Sequence, residues 1–159
     1  MIKCTFYLNG GSLSNLSCPG IGFFPAYSGE SGSTRNNPDA MAVKDFGPLP
    51  PGKYYIVSRP TGGRLSGIRD YVGSVLSGSD RDLWFGLFRE DSNIDDYTFI
   101  GEVERGNFRL HPAGYKGISH GCITLPSISN YMIIRNALMN TTKFNVTPFL
   151  LAYGTVHVY

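Results

Sequence analysis

Apolar and polar positions alternate crudely from Lys3 to Leu8, which predicts a strand, and Gly10-Gly11 behind it predicts a turn. Ile21 to Tyr27 predicts a short aromatic strand broken by Pro25. Residues 28–39 are too polar and too rich in glycine for either regular element and predict a long surface loop. Gly47-Pro-Leu-Pro-Pro-Gly52 predicts a turn, and Lys53 to Arg59 a strand behind it. From Ser66, a candidate N-cap, Ile68, Tyr71, Val72, Val75 and Leu76 follow helical spacing up to Gly78. Asp82 to Phe88, Tyr97 to Ile100 and Asn107 to Leu110 predict three more strands, the first two separated by an acidic turn at 91–96. Ser127 to Asn140 predicts a second helix, with Ile128, Tyr131, Met132, Ile134, Leu138 and Met139 on its apolar side. The runs Phe149 to Tyr153 and Thr155 to Tyr159, around Gly154, predict two closing strands. The pattern is mainly β, with two or three helices.

Composition narrows the function classes. A chain of 159 residues is one domain, long enough to bury a core, and its 42% apolar content supports folding. Only 16% of residues are charged, while 20 glycines, 10 prolines and 13% aromatics suit short strands joined by tight loops. The net charge of +2 comes without any Lys/Arg cluster, which argues against nucleic-acid binding. No apolar run is long enough for membrane insertion, and Met1 to Gly11 lacks the apolar segment of a secretory signal.

The three cysteines stand at 4, 18 and 122, so at least one thiol stays outside any intramolecular pair. Cys4 and Cys18 flank the Gly/Ser/Asn-rich turn from Asn9 to Asn15. They suit a hairpin disulfide in an oxidising compartment, or two ordinary half-buried thiols.

Cys122 lies in the run from Arg109 to Leu125, which also holds His111, Ser119, His120 and Gly121. A thiol is nucleophilic as the thiolate, and a nearby imidazole is the usual device that produces it. His111 lies far enough upstream to reach Cys122 from a neighbouring strand, and His120 shares a face with it on an extended chain, so either suits the base on spacing alone. Gly121 permits a tight turn that aims main-chain N–H groups at a developing oxyanion. The competing readings are a buried strand with a core cysteine and a metal site from His111, His120, Cys122 and His157, whose spacing fits no common zinc pattern. Ser31, in Gly29-Glu-Ser-Gly-Ser, misses the nucleophile-elbow spacing by one position.

Ser119-His120-Gly121-Cys122-Ile123, with a histidine upstream, resembles the signature of the L,D-transpeptidase (YkuD-type) cysteine enzymes of peptidoglycan metabolism. Gly47-Pro-Leu-Pro-Pro-Gly-Lys-Tyr-Tyr-Ile is similar to that family's Gly-x-x-Pro-x-Gly-x-Tyr strand start. Arg59-Pro-Thr-Gly-Gly-Arg, Trp84-Phe-Gly-Leu-Phe-Arg, Ile94-Asp-Asp-Tyr-Thr-Phe-Ile, Arg105-Gly-Asn-Phe-Arg-Leu-His and Tyr153-Gly-Thr-Val are similar to the L,D-transpeptidase-like toxins delivered by type VI secretion. The likeness runs over roughly residues 20–159. The short step from His111 to Ser119 and the threonine at 124 depart from the ordinary enzymes and suit the toxin branch.

The resemblance implies a β-sandwich of the L,D-transpeptidase type, with residues 62–96 as a small covering insertion and 1–19 as a separate segment for loading or plugging. It implies Cys122 as nucleophile, His111 as base, the Pro112 carbonyl as the group orienting that base, and the Gly121 and Cys122 N–H groups as oxyanion donors. Ser119, His120 and Tyr27 would line the pocket, and Arg109 would pair with a substrate carboxylate, unless it is merely a solvated charge. The implied function is an antibacterial effector acting on peptidoglycan stem peptides as L,D-carboxypeptidase or in D-amino acid exchange. It would be delivered by the type VI secretion apparatus, without a signal peptide, into the periplasm of a target bacterium and neutralised by a cognate immunity protein. No cofactor is implied. The alternative is a catalytically silent wall-binding or protein-binding module on the same fold.

Overall fold

In the computed structural model, which describes residues 1–60, 81–114 and 120–159, the alternating N-terminal run forms β1 (Ile2–Phe6), burying Cys4 and Phe6. β2 (Ser14–Cys18) turns Ser14, Leu16 and Cys18 inward; its polar sequence hides the alternation. Cys4 and Cys18 form a disulfide between these two strands. β3 (Gly22–Ser28) runs straight through Pro25, where β2 alone pairs with it. β4 (Gly52–Ser58), β5 (Phe85–Arg89), β6 (Tyr97–Ile100), β7 (Val103–Gly106), β8 (Arg109–Pro112) and β9 (Ile123–Leu125) follow. Then come α1 (Ile128–Asn140), β10 (Phe144–Thr147) and β11 (Leu150–Val158).

The main sheet runs β1-β2-β3-β9-β8-β5-β4-β11, and a parallel pairing of β1 with β11 closes it. The mainly β class is observed, and the layers expected of a sandwich take the form of a sheet closed on itself, which leaves few exposed edges. β10 attaches to the start of β11, and β6 and β7 form a separate hairpin. Residues 1–19, set apart above as a loading or plug segment, supply β1 and β2 and thus part of the closure. Gly154 does not divide two strands: β11 passes through it. A Cβ there would stand 2.5 Å from the Ile2 carbonyl oxygen, so glycine is what admits β1 at this distance.

The barrel interior is filled by Phe6, Leu16, Tyr54, Ile56, Leu87, Phe108, Leu110, Ile123 and Leu125. Tyr131, Ile134 and Leu138 of α1 join this core, one face of the helix as its spacing predicts, whereas Ile128 and Met139 are half exposed. Ser127 caps α1, its Oγ accepting from Asn130 N at 3.2 Å. The Tyr131 hydroxyl, whose pKa burial raises, ties the helix to the Leu83 and Leu110 carbonyls. Tyr55, Val57 and Ala152 form a second cluster with Phe88 and Phe144, so β4 is apolar on both faces.

The loop after β3 is not simply a surface loop. Asn36 is fully buried; its side chain accepts from Ser28 N and donates to Gly11 O, both at 2.8 Å. Residues 81–83 are a 3₁₀ turn rather than the start of a strand. The helix expected from Ser66 lies outside the described residues, as does most of the 62–96 insertion. Its final part supplies β5, a central strand of the sheet.

Candidate active site

β9 lies between β3 and β8. It pairs in parallel with β8, His111 opposite Thr124, and antiparallel with β3, Tyr27 opposite Thr124. Tyr27, Thr124 and His111 therefore stand in one row across three strands. His111 is 3% exposed, and its Nδ1 lies 2.7 Å from the Pro112 carbonyl oxygen. That oxygen only accepts, so Nδ1 carries the proton and Nε2 of the neutral ring holds a lone pair. The Thr124 hydroxyl, 3.2 Å away, donates to that lone pair. Trp84 stacks on the imidazole at 4.2 Å between centroids.

Cys122 immediately precedes β9, two residues before the Thr124 that meets His111. It is 7% exposed and is the cysteine outside the disulfide; its Sγ lies 3.9 Å from the Asn107 carbonyl oxygen. Gly121 adopts φ +87°, a conformation costly for other residues, and a Cβ there would stand 2.6 Å from Arg105 Nη2 and 2.9 Å from Phe108 Cε1. The buried Arg105 guanidinium donates to the carbonyls of Met41, Gly47 (3.0 Å) and Pro48 (3.1 Å) and lies over the Phe108 ring. Burial lowers the pKa of Arg105; Tyr54, Asp45 and Cys122 act in the opposite direction.

Arg109 is 5% exposed and is held bidentate by Asp96, at 2.6 and 2.8 Å, so it is no solvated charge and its fork is already matched by a carboxylate of the chain itself. Tyr27 is buried beneath the Arg35 guanidinium, 4.0 Å from its ring centroid, and burial raises its hydroxyl pKa. His120 lies at the surface, its Nε2 3.5 Å from a Glu30 carboxylate oxygen and its ring beside Phe46. Ser119 lies outside the described residues. His157, on β11, stacks on Tyr159 just beyond the strand and does not join the other two histidines. Among the described residues no group of His, Cys, Asp or Glu is arranged to hold a metal.

Trp84, Asp96 and Arg105 stand in the stretches that carry the family resemblance, and Thr124 follows the cysteine motif, but the sequence assigned none of the four a role at the site. Their partners became visible only in the fold: His111 for Trp84 and Thr124, Arg109 for Asp96, and the 41–48 carbonyls for Arg105.

No curated protein matches the chain, and no solved structure does. The family model of the Tlde1 domain matches residues 22–149, from the start of β3 to just before β11, and includes every residue of the row and of the cysteine motif. The chain belongs to the Tlde1 domain family, a family of type VI secretion effectors of the L,D-transpeptidase kind.

Proposed function

We propose that the protein is an antibacterial effector that acts on peptidoglycan stem peptides by cysteine acyl transfer. The observation that carries this reading is the His111 ring, fixed through Nδ1 to the Pro112 carbonyl with Nε2 at Thr124, two residues along the chain from Cys122. His111 Nε2 takes the proton of the Cys122 thiol, and the sulfur attacks the carbonyl carbon of an L,D-configured peptide bond. The Gly121 and Cys122 N–H groups hold the oxyanion, a contribution of roughly 3 kcal/mol per donor in comparable enzymes. As the C–N bond breaks, the imidazolium returns its proton to the leaving amine and a thioester is left on Cys122. Water then completes an L,D-carboxypeptidase cycle, or a free D-amino acid completes an exchange. Both remove stems that a growing wall needs for cross-linking, which suits delivery by a type VI apparatus into a target periplasm and neutralisation by an immunity protein.

Two observations favour the second reading, a silent binding module. The Thr124 hydroxyl already engages Nε2, and Cys122 is nearly covered. Muropeptide mass spectrometry separates the two. Periplasm-directed wild type is expected to generate tripeptide stems or D-amino acid-exchanged stems and to kill, and Cys122→Ala to do neither while accumulating normally. Unchanged muropeptides with the wild type, or full toxicity of Cys122→Ala, would remove the enzymatic reading.

A further inference from the structure

Two buried arginines lie beside the cysteine motif, and only one of them is neutralised. Arg109 shares its charge with Asp96 through two hydrogen bonds. Arg105, 3% exposed, meets only main-chain carbonyls and the face of Phe108; among the described residues no carboxylate stands within ion-pair distance of it. Carbonyl dipoles solvate a guanidinium without cancelling its charge, and a buried cation left without a counter-ion favours any anion that forms nearby. Gly121 packs directly against Nη2, and the next residue carries the thiol. Three anchored carbonyls from the segment 41–48 leave the guanidinium no freedom to turn away.

We infer that Arg105 is a positioning residue whose fixed positive charge holds Cys122 as a thiolate, with the buried guanidinium and the sulfur forming an ion pair once the proton has left. The inference deepens the acyl-transfer reading and rests on it for its use, though not for its test. It divides the labour at the site: Arg105 stabilises the anion, and His111 moves the proton. The other charged or titratable groups around Cys122 do not replace it. Arg109 is compensated by Asp96, Tyr27 is kept protonated by burial, His120 is an exposed ring facing Glu30, and Asp45 is an exposed acid that acts on Arg105 itself. His111 is charged only after it has taken a proton, and a His111→Ala variant separates its share from that of Arg105. A purely structural Arg105, a strut for the segment 41–48, would leave the acidity of the thiol untouched.

The disulfide between Cys4 and Cys18 makes Cys122 the single alkylatable thiol of the whole chain, so the pH dependence of iodoacetamide alkylation reads its ionisation directly. For the wild type, the expected midpoint lies below the ordinary thiol value of about 8.5. Arg105→Met is expected to raise it by about one unit or more, and Arg105→Lys to restore most of the difference. An unchanged midpoint in folded Arg105→Met overturns the inference. If Arg105→Met does not fold, His111→Ala decides, because it removes the imidazole and leaves the guanidinium. A midpoint that stays below about 8.5 supports Arg105, and one above it, as burial alone would give, overturns it. Alkylation needs no peptidoglycan, so a chain without wall activity but with these midpoints would refute the proposed function and leave this inference standing.

Discussion

The Thr124 hydroxyl and the His111 imidazole face each other across the parallel β8–β9 pair, with Oγ1 3.2 Å from Nε2. With Nδ1 donating to the Pro112 carbonyl, a neutral ring accepts the threonine hydroxyl at Nε2, a hydrogen bond that favours the neutral form. Thr124→Val keeps the volume and deletes that donor. It is expected to make the ring easier to protonate, because the hydrogen bond that favours the neutral form is lost. The single tryptophan, Trp84, stacks on the ring, and a protonated imidazole quenches a stacked indole, so a fluorescence titration reports the shift. An unmoved midpoint would show that the hydroxyl does not govern the ring.

The two histidines of the motif should respond differently. His111→Ala is expected to abolish stem-peptide turnover as fully as Cys122→Ala does. His120→Ala, which removes an exposed ring facing Glu30, should lower it by less than about tenfold. Equal losses in muropeptide assays would reopen the choice of base.

Gly121→Ala combines a left-handed backbone with a methyl group driven into Arg105 and Phe108. The expected cost is about 2 kcal/mol of stability, a fall in Tm of about 6 °C, with loss of turnover at temperatures where the variant is still folded. A melting curve superimposable on that of the wild type would contradict the packing described.

Asp96→Asn leaves the buried Arg109 guanidinium with half of its partner and without its counter-charge. We expect a loss of about 2 kcal/mol in chemical denaturation. In a double-mutant cycle with Arg109→Met, strong coupling is expected, the second substitution adding little to the first. Additive losses would mean that the two residues act separately.

Reduction of the Cys4–Cys18 disulfide releases a loop whose ends are 14 residues apart in sequence. By chain entropy such a bond contributes about 3 kcal/mol, so a reducing agent is expected to lower Tm by roughly 9 °C. The effect should vanish in Cys4→Ser. A scan insensitive to reductant would show that the strand pairing alone holds β1 and β2.

Short-range order was readable from the chain. Alternation marked β1, short apolar runs beside turn residues marked β3, β4, β5, β6 and β8, helical spacing with a serine cap marked α1, and the crowding of two histidines and a cysteine around Gly121 marked the place of the chemistry, because each is a pattern within a few neighbouring residues. Partnerships between distant segments were not. β2, β7, β9 and β10 are too short or too polar to show a period, and they are strands because a neighbour supplies their hydrogen bonds. That β1 closes the sheet against β11 through Gly154, that Arg109 belongs to Asp96, and that His111 rather than His120 stands in the row with Thr124 follow from strand register and burial, which no local pattern encodes. Arg105 is the extreme case. An arginine in sequence reads as a surface charge, and only the folded chain, by burying it among carbonyls beside Gly121, gives that charge its reach.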